Sequence, residues 1–206
     1  MRFDLSLYLV TDARLCQSYG LERTVVEAVE GGVSFVQLRD KQASDADMIE
    51  QAKRLKAALA GSGVPLVIND RLMVALESGA DGLHVGQSDT AVQQARAAMG
   101  SGAIIGLSIN TLAQLQAAPA ELLDYVGLGP IFATQSKRDH ALPIGFEGLA
   151  QLAAASPLPS VAIGGLKADH SEQVFRAGAK GLAAISAICG EPDPYQAARL
   201  FARSSL

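Results

Sequence analysis

The chain has no tryptophan, and aromatic residues make up only 5% of its 206 positions. A core without large rings must come from small and aliphatic side chains, which supply much of the 49% hydrophobic content and suit parallel strands under packed helices. Cysteine is scarce too. Cys16 and Cys189 stand far apart with no Cys/His spacing suited to zinc. Basic charge is not in excess: 17 Lys and Arg against 21 Asp and Glu leave a formal charge of −4, with a pI near 5.4. That balance lacks the basic footprint of nucleic-acid binding, so a polyanionic ligand would have to be held by a few placed cations. No stretch approaches the roughly 20 apolar residues of a membrane span. The opening MRFDLSLYLV is too short an apolar run for a secretory signal. A soluble cytoplasmic protein in a reducing compartment is expected, with no nucleic-acid or membrane partner.

Short β-rich runs alternate with longer Ala-rich helical runs, as in repeated βα units. Strands are expected over residues 7–11, 35–39, 66–69, 82–85, 104–108, 125–129, 160–163 and 181–185. Helical runs fit between them, such as 45–60 behind a Ser44 cap and 113–118. Three turns, at 30–33, 78–81 and 177–180, each carry Gly where a helix must stop before the next strand. No linker or low-complexity segment interrupts residues 1–206, which points to one domain. An open doubly wound sheet would also alternate, but no Gly-rich dinucleotide loop follows the first strand. The fold expected is α/β, a single (β/α)8 TIM barrel.

In such a barrel the active site lies at the C-terminal ends of the strands, and the unusual polar residues collect there. Strand two closes with Gln37, Arg39, Asp40 and Lys41. Period-two alternation points Gln37 and Arg39 inward, with Lys41 next in the same register, while Val36 and Leu38 face helices. Arg followed by Lys makes an anion site from a planar fork and a mobile point charge. Asn69 and Asp70 end strand three, and Asp89 lies after strand four. Two carboxylates from neighbouring strand ends can share Mg²⁺ with waters and phosphate oxygens, although either alone would read as a turn former.

Ser108 ends strand five with an exposed hydroxyl that could equally cap a helix or touch a ligand. No histidine placed in sequence suggests a base to make it a nucleophile. His84, inside strand four, reads as packed or hydrogen-bonded. After strand six a long loop carries Thr134, Gln135, Ser136 and Lys137, hydroxyls and an ammonium suited to phosphate. Gly164 and Gly165 after strand seven, with Ile185 and Ser186 after strand eight, match the backbone phosphate site of many barrels. Two anion sites and a metal suggest two phosphorylated small-molecule substrates.

The stretches LYLVTD, VQLRDK, VINDR, GLHVGQSD, IIGLS, YVGLGPIFATQSK, VAIGG and ISAI, in this order, resemble the thiamine-phosphate synthase family through most of the chain. The resemblance implies a transferase that joins an aminopyrimidine diphosphate to a thiazole phosphate, carboxylated or not, releasing pyrophosphate with Mg²⁺. It assigns Gln37, Arg39 and Lys41 to the pyrimidine diphosphate, with Asn69 and Ser108 beside it, and Asp70 and Asp89 to Mg²⁺. Thr134 and Ser136 would meet the thiazole phosphate and Lys137 the diphosphate. Gly165, Ile185 and Ser186 would complete the thiazole phosphate cradle, and Asp40 and Gln135 would join the substrate-binding set. Arg39, Lys41 and Lys137 would be the catalytic cations. Ser136 stands where the family usually has Thr, which keeps the hydroxyl. The rivals are a related thiazole tautomerase and a non-catalytic sensor of thiamine phosphates. The tautomerase has no use for a diphosphate site, and the sensor leaves both carboxylates unexplained. A homo-oligomer is compatible with the sequence and not required by it.

Overall fold

The computed structural model describes residues 3–88, 91–133 and 142–203, apart from the side chains of 202 and 203. Eight strands run in chain order: β1 Leu7–Val10, β2 Phe35–Leu38, β3 Leu66–Asn69, β4 Gly82–Val85, β5 Ile104–Ile109, β6 Tyr125–Leu128, β7 Ser160–Ala162 and β8 Gly181–Ala184. Every neighbouring pair is parallel, and β8 pairs back onto β1, so the sheet closes into the expected barrel. Between and after the strands lie α1 Leu21–Glu30, α2 Asp45–Ala58, α3 Leu72–Ser78, α4 Val92–Met99, α5 Leu112–Ala117, α6 Gly145–Ala155, α7 Ser171–Arg176, α8 Ser186–Cys189 and α9 Pro194–Arg203. No helix among the described residues is long and apolar enough to cross a membrane.

Strand alternation builds two separate cores. One phase of each strand faces the helices: Leu7, Leu9, Val36, Leu38, Leu66, Ile68, Leu83 and Ile105 are buried there with Val25, Met48 and Leu55 of the helices. The other phase fills the barrel, with Tyr8, Phe35, Val67, Ile104, Tyr125, Val161 and Ala183 packed together. Several helices have only six or seven residues, too short to persist alone, so burial of their apolar stripes must hold them. Opposite the site, Arg96 of α4 ties the underside of the barrel. Its guanidinium donates to the carbonyls of Gly100 (3.0 Å), Ala103 (2.8 Å) and Leu122 (2.8 Å) and pairs with Asp124 at 2.6 Å. Asp124 in turn accepts from the Ile105 amide at 2.9 Å.

The Ser44 hydroxyl caps α2 by accepting from the Asp47 amide, as its position predicts. At each of the three Gly turns a glycine takes the expected positive φ, at Gly32, Gly79 and Gly178, while Gly31 stays helical (φ −76°).

Candidate active site

The strand ends converge on one rim, with most boundaries within a residue of expectation. Gln37 of β2 is buried, and Arg39, just past that strand, is buried to 9% exposure. Arg39 is held from the backbone: its amide donates to Thr11 Oγ1 at 3.0 Å, and the Thr11 amide donates to the Gln37 carbonyl at 2.9 Å. Lys41 lies outside the strand with a mostly solvated side chain, and its ammonium pairs with the Asp70 carboxylate. The same carboxylate oxygen accepts from Asn69 Nδ2 at 2.6 Å.

Asp70 is the one non-glycine residue with positive φ (63°) among the described residues. Its amide donates to the His84 carbonyl at 2.9 Å, and the next amide, Arg71, turns back onto the Asn69 carbonyl at 2.7 Å. A left-handed carboxylate residue at the end of a barrel strand costs about 1 kcal/mol of backbone strain, tolerated where the surrounding bonds over-determine it. Here those bonds present the carboxylate to Lys41 from the neighbouring strand end.

Asp40 has a different job from its neighbours. Its Oδ1 accepts from the amides of Gln42 (2.9 Å) and Ala43 (3.1 Å), which shapes the loop into α2. Arg71 clamps that loop from β3, donating to the Ala43 carbonyl at 2.6 Å and the Asp40 carbonyl at 3.2 Å and pairing with Asp45 at 2.9 Å. Arg71 was not among the residues singled out in the sequence, because its role depends on a contact between two strand ends.

Two expectations about Ser108 are corrected. Its hydroxyl is buried rather than exposed, because it faces the barrel interior and meets His84, and Thr111 rather than Ser108 caps α5. A histidine does stand beside it: His84 Nε2 lies 2.9 Å from Ser108 Oγ. The pair is nonetheless not a nucleophile with its base. The other ring nitrogen, Nδ1, meets the Tyr125 hydroxyl at 2.8 Å instead of an orienting carboxylate.

Tyr125 belongs to a longer chain. Its hydroxyl lies 2.8 Å from that of Tyr8, which accepts from Gln37 Nε2 at 2.6 Å. Burial pushes both phenols above their ordinary value near 10. Gln37, Tyr8, Tyr125, His84 and Ser108 thus form a continuous buried line across the barrel interior, of which the sequence reading found only the two ends and a packed His84. Of the five, only Gln37 was placed inward from strand alternation, because a Tyr in a strand reads as core until its partner is known.

Gly164 and Gly165 follow β7 with φ of 96° and 70°. A Cβ on Gly165 would come within 2.8 Å of Phe132 Cβ, so the loop after β7 packs directly on the loop after β6. Ile185 is half-buried and Ser186 exposed at the start of α8, on the same rim. Asp89, Thr134, Gln135, Ser136 and Lys137 lie outside the described residues. Among the described residues no three His, Cys, Asp or Glu side chains cluster as a metal cage.

The sequence model described as "Thiamine monophosphate synthase" matches residues 7–188. The thiamine-phosphate synthase of Psychrobacter sp. (strain PRwf-1) is 56% identical over 199 residues, covering 95% of this chain and 93% of the relative. That of Azorhizobium caulinodans is 52% identical over 197 residues, covering 96% and 93%. Among solved structures, thiamine phosphate pyrophosphorylase from Pyrococcus furiosus superposes with a TM-score of 0.89 at 33% identity, covering 99% of this chain and 96% of that one. With a matching model over most of its length and relatives of this identity, the chain belongs to the thiamine monophosphate synthase family.

Proposed function

We propose that this protein is a transferase of thiamine biosynthesis that condenses 4-amino-2-methyl-5-(diphosphooxymethyl)pyrimidine with a thiazole phosphate, giving thiamine phosphate and pyrophosphate. The observation that carries the site assignment is the meeting of Lys41 and Asp70 beside buried Arg39 and Asn69. A cation and a carboxylate brought together from neighbouring strand ends would serve a metal-bound diphosphate, which needs both.

The residues fit Mg²⁺. This ion takes one or two carboxylates and fills its shell with water and phosphate oxygens, so a preformed cage of three carboxylates is not required. Asp70, held in its left-handed turn, would be one ligand and Asp89 the other. When bound, Mg²⁺ supplies positive charge against the diphosphate oxygens.

The chain's own groups do the rest. Gln37, Asn69 and Ser108 hold the pyrimidine with its methylene toward the rim. As the C–O bond to the diphosphate breaks, the electron-rich aminopyrimidine takes up the positive charge, and Arg39, Lys41 and Lys137 stabilise the charge growing on the leaving group. The thiazole nitrogen is the nucleophile, so no protein nucleophile is needed, and buried Ser108 is free for binding. Thr134, Gln135 and Ser136 with Gly165, Ile185 and Ser186 hold the thiazole phosphate, whose charge does not change in the reaction. Asp40 acts on substrate through the loop that carries Lys41. The protein works in the cytoplasm on small molecules.

The test is incubation with both substrates and Mg²⁺, following pyrophosphate and thiamine phosphate. Formation of both in equal amounts is expected. Isomerisation of the thiazole without pyrophosphate release would replace the synthase with the tautomerase, and binding without turnover would replace it with the sensor.

A further inference from the structure

The buried line of five polar groups has a direction. Gln37 Nε2 donates to the Tyr8 hydroxyl oxygen, so the single Tyr8 proton must go onward to Tyr125 Oη. Among the described residues the Tyr125 proton then goes to His84 Nδ1. With Nδ1 accepting, the neutral imidazole carries its proton on Nε2 and donates it to Ser108 Oγ. The Ser108 hydroxyl proton is left over for a ligand, as are the Gln37 carbonyl oxygen and its second Nε2 proton. Both phenols stay protonated because burial opposes their ionisation, so neither end of the line loses its direction at neutral pH.

The opposite direction also satisfies every group: the Gln37 amide flips, all hydroxyls reverse and His84 changes tautomer. The amide orientation in the structure selects the first direction: Nε2 faces Tyr8, which leaves the carbonyl oxygen on the outer side, where the chain continues to Arg39 and Lys41.

We propose that Tyr8, Tyr125 and His84 are positioning residues that set the hydrogen-bond polarity of the pyrimidine pocket, making Gln37 an acceptor and Ser108 a donor, and so select a 4-aminopyrimidine over its 4-oxo counterpart. The inference rests on the reading above that the pyrimidine lies against Gln37 and Ser108. An aminopyrimidine offers a donating amino group and accepting ring nitrogens, which match an acceptor at Gln37 and a donor at Ser108. The 4-oxo analogue offers an accepting oxygen and a ring N–H, the inverse pattern. Matching it at both Gln37 and Ser108 requires reversing all five groups. Sites built around buried polar groups reject a mismatched analogue strongly, on the order of 10⁴-fold where the mismatch is complete.

The experiment compares kcat/KM for the 4-amino and 4-oxo pyrimidine diphosphates, at saturating thiazole phosphate and Mg²⁺, in the wild type, Tyr8→Phe and Tyr125→Phe. The Phe variants keep the rings packed against Phe35 and remove only the hydroxyl. The wild type is expected to prefer the amino substrate by at least about 100-fold. Each variant should lose tenfold or more of that preference, with KM for the thiazole phosphate within twofold of the wild type. An unchanged preference, or an equal fall for both pyrimidines, would overturn the inference. A second measurement needs neither turnover nor a variant: ¹⁵N NMR of the histidines should show His84 protonated on Nε2 with Nδ1 accepting. The Nδ1–H tautomer overturns the assigned polarity. A wild type that makes no thiamine phosphate would sink the reaction proposed above, while the tautomer still decides the polarity.

Discussion

Replacing Lys41 with Met separates its two candidate roles, because the structure makes them unequal in size. The Lys41 side chain is 57% exposed and its partner Asp70 only 17%. An ammonium that keeps most of its water gains little from one carboxylate, so the pair contributes about 0.5 kcal/mol to folding, in the range of exposed ion pairs. For a domain of this length that is a fall in Tm of about 1–2 °C. Met keeps the length and apolar stem of the side chain, so packing changes little. During the reaction the balance differs. The diphosphate gains charge as the C–O bond breaks, and a cation aimed at it stabilises the transition state more than the ground state. Loss of one such group costs about 3 kcal/mol in the barrier, roughly a 100-fold fall in kcat.

The same substitution should act on the metal in the opposite sense. Lys41 competes with Mg²⁺ for the Asp70 carboxylate, so without diphosphate its removal should tighten Mg²⁺ binding by about twofold, the equivalent of 0.5 kcal/mol. Thermal melts, steady-state kinetics with the pyrimidine substrate varied, and Mg²⁺ titration calorimetry measure the three quantities. A Tm lowered by more than about 5 °C with kcat within threefold of the wild type would refute the reasoning, since Lys41 would then be a structural residue.

Asp70→Asn tolerates the left-handed backbone but removes the charge, so kcat should fall by roughly 100-fold with partial rescue by excess Mg²⁺; near-normal turnover at saturating substrate refutes the metal assignment. Arg96→Ala strands Asp124 and several carbonyls on the underside of the barrel. It should cost about 3 kcal/mol, or roughly 8 °C in Tm, with kcat unchanged; a melt within 2 °C of the wild type contradicts this. Tyr8 and Tyr125 have raised folded-state values, so their contribution to stability is intact below about pH 10 and is lost as pH rises further, because the unfolded phenols ionise first. Of the four tyrosines, at most two should therefore ionise in the native protein by ultraviolet titration, and four ionising together near pH 10 would show that the inner pair is not sealed.

The barrel was legible because its determinants are local. A parallel strand buried on both faces must be largely apolar, and each helix between strands must stop before the next, so alternation marked all eight units and glycine three of the turns. Errors stayed at the edges, where one residue more or less of ladder depends on a neighbouring strand. β5 runs on to Ile109 because β6 lies alongside to accept it, with Ile109 opposite Leu128. The Ser108 hydroxyl, expected to be exposed, is buried because it faces the interior and meets His84. The site divides in the same way. Gln37, Arg39, Asn69 and Asp70 could be placed on the rim from strand periodicity, because facing and height follow from register. The bonds among them could not. Lys41 with Asp70, Arg71 with the loop of Asp40, and His84 with Ser108 each join residues more than 20 positions apart, and only closure of the barrel brings them together.

Closure also explains why a chain with so few aromatic residues spends two tyrosines on the barrel interior. Layers of branched aliphatic side chains usually fill this space, and they would leave Gln37 and Ser108 buried against apolar surface with half their hydrogen bonds unmade. A phenol is large enough to cross the interior and ends in a group that both donates and accepts. Tyr8 and Tyr125, with His84, satisfy the inner side of both residues and leave the outer side to the ligand. The space comes from Gly106, where a Cβ would lie 2.2 Å from the Tyr125 ring. A buried polar line is stable only while every member is paired, because low dielectric strengthens made bonds and penalises missing ones alike. The ring that needs Gly106 for room and the hydroxyl that joins His84 to Tyr8 belong to one side chain. Packing of the barrel and hydrogen-bond direction at the rim are therefore set together, by Tyr125.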